Sequence, residues 1–253
     1  MSGRLPTRLM AVALFAGCVA LSASGGSQVL LHGRAYPLHR SGPASLHVAL
    51  VSSGDGGWIH LAPHIADVLA GWGWTVLGFD TRDYLSGGNG AGGALTPADI
   101  ARDYGALIGQ ALPSGTAVTL VGVSEGAGLS VIAAADPSVK PHVDGVVAIG
   151  LGDRNELAWH WADSVIYITK GVPNEPLFHA SGYVPRVAPV PLAFVQSTRD
   201  EFVPPAEADW LQRLAGPTAH TWKVNAADHR FSDNLPGFDA QLARALAWLF
   251  PST

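Results

Sequence analysis

The chain has almost no cysteine. Of its 253 residues only Cys18 carries a thiol. An internal disulfide and the cysteine-rich zinc motifs are therefore excluded. No His-Glu-x-x-His run occurs, so the commonest helical zinc signature is missing and no metal or other cofactor is expected. Charge is scarce as well: 14% of residues are charged, against 48% hydrophobic. The net charge is −5 and no basic block occurs. A nucleic-acid partner is not expected, because nothing would neutralise a run of phosphates. No Gly-Lys-Ser/Thr is present and no Gly-x-Gly-x-x-Gly follows the first strand, which argues against a nucleotide-phosphate loop.

Long apolar runs are missing with one exception. Leu9 to Leu21 is uncharged, follows Arg4 and Arg8, and precedes Ser22-Ala23-Ser24-Gly25-Gly26. Its length is too short to span a bilayer. The pattern reads as an export leader, residues 1–24, removed to leave a single domain over 25–253. Cleavage there takes the net charge from −5 to −7 and removes Cys18. Alternatively, Phe15-Ala16-Gly17-Cys18 resembles a lipoprotein cleavage box, with Cys18 as a lipid-anchored first residue. Either way the expected location is periplasmic or secreted, and the second route adds peripheral membrane contact.

What remains alternates between apolar strands and amphipathic helices. A leading hairpin is expected at Val29–Leu31 and Ala35–Leu38. Strands follow at His47–Ser52, Thr75–Phe79, Ala117–Val121, Val143–Ile149, Pro191–Gln196 and His220–Val224. Helices are expected at His60–Gly71, from Thr96 to about Leu112, from about Gly126 to Ala135, at Pro205–Leu214 and at Phe238–Leu249. Thr96-Pro97-Ala98-Asp99 reads as a helix start, with Thr96 as cap. Strand-helix alternation implies an α/β class with a mostly parallel sheet covered on both faces. Ser86–Gly93 reads as a mobile loop. Residues 153–189 break the rhythm with Trp159, Trp161, Tyr167, Phe178, Tyr183 and several prolines. They read either as a small cap insertion or as an extension of the core with an extra strand at Ser164–Thr169.

The chemistry concentrates in Gly122-Val123-Ser124-Glu125-Gly126. A buried strand runs into Gly-x-Ser-x-Gly and then into a helix of small residues, the context of a nucleophile elbow. A serine hydroxyl is a poor nucleophile alone and needs a base and an acid. Asp200 follows a late strand and His229 follows the last one. The order Ser124, Asp200, His229 is that of an α/β-hydrolase. His229 would take the serine proton, and Asp200 would hold the imidazole in the required tautomer. Glu201 and Asp153 are the alternative acids, and Asp228 reads as a solvated loop residue. Ser52-Ser53-Gly54-Asp55-Gly56-Gly57-Trp58 follows the strand where this arrangement places its oxyanion loop. The backbone amides of Asp55 and Glu125 are the candidate donors. Trp58 is a candidate substrate contact.

With these residues in view, the chain resembles the bacterial VirJ/AcvB-like branch of the α/β-hydrolases. The resemblance rests on Ser53-Gly54-Asp55-Gly56-Gly57-Trp58, on Gly122-Val123-Ser124-Glu125-Gly126-Ala127 and on His229-Arg230-Phe231, and spans roughly residues 46–250. It departs from the family elbow at Val123, Glu125 and Gly128. The resemblance implies a periplasmic hydrolase of aminoacylated phospholipids such as lysyl-phosphatidylglycerol. From the residues themselves, Asp55 and Glu125 beside the proposed oxyanion hole would favour a neutral or cationic ester over a carboxylate. The expected function is thus a serine hydrolase cleaving a small-molecule or lipid carboxylic ester through an acyl-enzyme. Two others share the sequence features: a non-catalytic binding or chaperone-like protein on a hydrolase scaffold, and an acyltransferase.

Overall fold

A computed structural model describes residues 27–113, 115–160 and 175–251. The leader with Cys18, together with Trp161, Tyr167 and the strand expected at 164–169, lies outside the described residues.

The strands are β1 (Gln28–Leu31), β2 (Arg34–Ser41), β3 (Val48–Ser52), β4 (Thr75–Phe79), β5 (Val118–Val123), β6 (Val143–Ile149), β7 (Arg154–Glu156), β8 (Leu177–His179), β9 (Leu192–Ser197) and β10 (Ala219–Val224). The helices are α1 (Leu61–Gly71), α2 (Thr81–Gly87), α3 (Pro97–Ala111), α4 (Glu125–Ala135), α5 (Val184–Val187), α6 (Pro205–Ala215) and α7 (Leu235–Leu249). Eight strands form one sheet in the order β1-β2-β4-β3-β5-β6-β9-β10. Only β1–β2 and β2–β4 pair antiparallel; the rest of that sheet is parallel.

The centre of the sheet is buried on both faces, which is why its strands are apolar runs rather than alternating ones. Alternate residues serve opposite layers. Val48, Leu50, Leu77 and Leu120 pack under α3 and α4. Ala49, Val51, Val76 and Val121 pack under α1 and α7. Edge strand β10 shows the opposite pattern, with only Ala219 and Val224 buried.

Local chemistry explains most boundaries. Thr96 caps α3 by accepting from the Asp99 N–H at 3.2 Å, and Asp99 accepts from the Thr96 N–H at 2.9 Å. That reciprocal pair satisfies two donors otherwise orphaned at the helix start. Most boundaries shift by a residue or so from expectation, β2 runs on to Ser41, and two other shifts have a clear local cause. β5 runs on through Gly122 and Val123, because both still pair with β6. α7 begins at Leu235, capped by Asn234 accepting from the Gly237 N–H at 3.0 Å. α2 was not expected at all. Asp80 caps it through the Asp83 N–H at 3.0 Å, and its Tyr84 and Leu85 are buried. It takes in Ser86 and Gly87, read above as loop; the Gly-rich stretch behind it is closed by Asn89, whose side chain accepts from the Ala91 and Gly93 N–H groups.

The described flanks of 153–189 form a separate antiparallel ribbon, β7 with β8. It is seated on α4: a Cβ at Gly128 would stand 2.4 Å from Asn155 Oδ1 and 2.9 Å from the Phe178 ring. Phe178, Ala180 and Val184 join the main core.

Candidate active site

The site lies at the C-terminal ends of the parallel strands. Ser124 sits between β5 and α4 at φ 51°, ψ −119°, with its N–H donating to the Ile149 carbonyl at 2.8 Å. Positive φ in a non-glycine residue costs roughly 1–2 kcal/mol and is retained where the surroundings enforce it. Here they do. A Cβ at Gly122 would fall 2.2 Å from the Gly126 carbonyl oxygen, and one at Gly126 would fall 2.3 Å from that of Ser53. The elbow can close this tightly only because both flanking residues are glycine.

His229 lies on the loop after β10. Phe231, at φ 56° and fully buried, pins that loop by stacking toward Phe238, with ring centroids 4.8 Å apart. The His229 Nδ1 lies 2.6 Å from Asp200 Oδ2. Asp200 Oδ1 accepts from the Phe202 and Val203 N–H groups at 2.9 and 2.8 Å, so its carboxylate is fixed in a turn after β9. Both residues are nine-tenths buried. Nε2 of His229 makes no hydrogen bond among the described residues.

Burial alone would depress the His229 pKa. The hydrogen bond and charge of Asp200, with the charges of Glu125 and Glu201, outweigh it and raise the ring above the ordinary histidine value. Glu201 also accepts from the His229 N–H at 2.8 Å. The alternative acids thus fall into different places. Glu201 supports the loop. Asp153 accepts from the Ser181 N–H and pairs with His179 on the ribbon. Asp228 accepts from the Arg230 and Ser232 N–H groups in a turn of its own loop.

Ser124 and His229 line one cavity of about 210 Å³, together with Gly54, Asp55, Val123 and Phe202. The loop after β3 presses against the elbow: a Cβ at Gly54 would be 3.3 Å from the Ser124 Cβ. The Asp55 carboxyl is pushed up to about 8, first by burial, then by the charges of Glu125 and Glu156. Its contacts with the N–H groups of Gly56 and of Asp55 itself pull the other way. Glu125 Oε2 is buried and has no hydrogen-bond partner among the described residues. Like charges held together and out of water favour taking up a proton.

Trp58 is placed elsewhere. Its ring stacks on His39 at 4.5 Å and lies over Gly78, where a Cβ would meet it at 2.0 Å. It braces the loop from behind and does not line the Ser124 cavity. Sequence reading missed Glu156, which the ribbon brings to Asp55, and Phe202, whose ring meets His229 edge-on at 5.5 Å. Nothing in the spacing of Glu156 signals this, whereas Phe202 stands two residues after Asp200. Among the described residues no group of three or more His, Cys, Asp or Glu side chains is arranged to hold a metal ion.

Solved structures with this architecture are numerous. An esterase from Pyrococcus furiosus superposes with a TM-score of 0.66 at 14% identity, covering 88% of this chain and 89% of its own. An esterase domain from Rhodothermus marinus gives 0.61 at 18% identity, covering 87% and 96%. A membrane phospholipase A described as a bacterial virulence factor gives 0.66 at 10% identity, covering 90% and 87%. The chain has the α/β-hydrolase fold. No curated protein sequence matches it. The family "Bacterial virulence protein (VirJ)" matches residues 47–163, a stretch that holds the Gly-rich loop and the elbow but ends before Asp200 and His229. Over residues 47–163 the chain is thus similar to that family, and its fold is that of the α/β-hydrolases.

Proposed function

We propose that the protein is an exported serine hydrolase that cleaves a carboxylic ester through an acyl-enzyme on Ser124. The observation that carries this reading is His229 held 2.6 Å from a buried, turn-anchored Asp200, on the cavity that the strained Ser124 lines. His229 Nε2 takes the serine proton as the hydroxyl attacks the ester carbonyl, and returns it to the leaving alcohol. Water then enters by the same route and frees the acid. The N–H groups of Glu125 and Asp55 meet the developing oxyanion, each worth about 3 kcal/mol in comparable sites. A fluorophosphonate probe tests this directly. Wild-type protein is expected to label, and Ser124→Ala and His229→Ala are expected not to; an unlabelled, folded wild type overturns the reading.

The acyl group is small and tolerates or carries a positive charge, as in an aminoacyl-phospholipid. Two features support this. An apolar cavity of about 150 Å³ accommodates benzene, so one of about 210 Å³ suits a short acyl group better than a fatty chain. Asp55, Glu125 and Glu156 converge beside it. An ammonium group would relieve their repulsion, and would do so more as Asp55 ionises. The kcat/KM ratio of a trimethylammonium ester, whose charge does not titrate, over its carboxylate counterpart is therefore expected to rise as pH passes about 8. Asp55→Asn is expected to flatten that rise; parallel pH profiles on the two esters decide it.

The general base must be neutral, and His229 binds its proton more tightly than a free imidazole. Activity is expected to rise with pH through a midpoint above the ordinary histidine value of about 6.5. Asp200→Asn removes the largest contribution favouring the charged ring, so the midpoint moves down while the plateau falls. A kcat/KM profile on a neutral ester checks both.

A further inference from the structure

Tyr104 stands on α3, does not line the Ser124 cavity, and is fully buried. A buried hydroxyl is costly without a partner, and phenylalanine would fill the same space without that cost. Tyr104 has partners on both sides. Its hydroxyl lies 2.7 Å from Ser52 Oγ, and Ser130 also hydrogen-bonds it. Both serines are fully buried as well. The Ser130 hydroxyl donates in turn to the Gly126 carbonyl at 2.7 Å. Ser130 therefore accepts from Tyr104, and Tyr104 accepts from Ser52. Burial pushes the Tyr104 hydroxyl up to about 12, against the pull of the two serines, so the phenol keeps the proton that this chain of hydroxyls requires.

The chain begins and ends at the two backbone segments that meet at the site. Ser52 is the last residue of β3 and roots the loop that carries Gly54 and Asp55. Gly126 lies in the elbow, one residue after Glu125. The segments touch there: a Cβ at Gly126 would stand 2.3 Å from the Ser53 carbonyl oxygen and 2.5 Å from that of Ser52. Steric contact sets how near the loop and the elbow can come. The hydroxyl chain sets how far apart they can move. The loop's other side-chain anchor, Ser53 Oγ accepting from the Thr81 N–H at 3.0 Å, holds it to α2 and not to the elbow.

We infer that Tyr104 is a positioning residue whose hydroxyl fixes the spacing between the two backbone amides, of Asp55 and Glu125, that receive the oxyanion. The inference rests on the hydrolase reading above, and adds a residue that acts without touching the substrate. Oxyanion donors work at full strength only when both stand about 2.7–3.1 Å from the place the charged oxygen will occupy. A clamp on their spacing therefore acts on the transition state more than on substrate binding.

The test compares 4-nitrophenyl acetate with its thiono counterpart, in which sulfur replaces the carbonyl oxygen. Both release 4-nitrophenol. Sulfur is a larger and weaker acceptor, so only the oxygen ester gains much from the two amides. In wild type the oxygen ester is expected to lead in kcat/KM by roughly 10²-fold or more, the scale of one oxyanion donor. Tyr104→Phe is expected to cut that lead by roughly tenfold, the effect of loosening the donors without removing either. Thr119→Val is the control. It removes a buried hydroxyl that donates to Asp144 at 2.8 Å, at the end of β5 away from Ser124. It is expected to lower the melting temperature and leave the lead unchanged. If Tyr104→Phe does not fold, Ser52→Ala reads the same clamp from its other partner, with the same fall expected. Equal slowing of the two esters, or an unchanged lead, in whichever variant folds overturns the positioning role while the hydrolase reading stands. A folded wild type that cleaves neither ester overturns both.

Discussion

Ser124→Ala is expected to leave a folded protein whose ester turnover has dropped by roughly 10⁴-fold or more, the scale seen when a serine nucleophile is removed from related machinery. The fold should survive because the serine contributes to it through its backbone. Its N–H reaches the Ile149 carbonyl, and its own carbonyl accepts from Ala127 and Gly128. Alanine keeps all three. The hydroxyl makes no hydrogen bond among the described residues, so its loss orphans nothing. Turnover by purified variant and wild type, with circular dichroism beside each, measures both halves of the expectation. Activity within tenfold of wild type in a folded Ser124→Ala would exclude Ser124 as the nucleophile.

Gly150→Ala reaches the same chemistry from the opposite side. Gly150 directly follows β6 at φ 62°, with its N–H donating to the Val195 carbonyl at 3.0 Å. The His229 ring lies directly over it: a Cβ would stand 2.5 Å from Cε1 and 3.1 Å from Nε2. The ring cannot yield cheaply, because Nδ1 is held by Asp200 and the ring is met edge-on by Phe202. The methyl group must therefore displace the His229 ring or break its bond to Asp200. Misplacing a reacting group by about 1 Å costs roughly 10²-fold, and the positive φ adds about 1–2 kcal/mol of destabilisation. A kcat/KM loss of at least that size, with a melting temperature several degrees lower, is expected from steady-state kinetics and thermal unfolding. Full activity would place the working His229 away from the ring position described here.

Much of this was legible from residue order alone. Apolar runs such as Thr75–Phe79 and Val143–Ile149 have no other stable use than a doubly covered sheet, and both strands occupy those residues. The Thr96–Asp99 box marked a helix start because its side chains can satisfy few other donors. The elbow was legible because glycine on both sides of a serine makes sense only where backbone meets backbone. What escaped was set by distance in space. Asp80 and Asp83 could have announced α2, but the glycines that follow suggested a loop. Trp58 looked like a substrate contact because it ends the Gly-rich motif; the two-residue glycine at Gly56-Gly57 instead turns it back onto Gly78. Glu156 carries no local signature: it reaches Asp55 through the ribbon.

The pairing order of the sheet also governs how the molecule must assemble. From β4 to β10 the large sheet contains only parallel pairs, and no parallel pair can form before its crossover has collapsed. β3 finds β5 across 65 intervening residues of sequence, between Ser52 and Val118. Each such closure is entropically unfavourable before any contact rewards it, which slows the search for the native topology. Until β3 and β5 meet, the loop that holds Gly54 and the turn that holds Ser124 are not neighbours. The Ser124 turn thus gains its strained shape late, when the sheet is already in place to hold it.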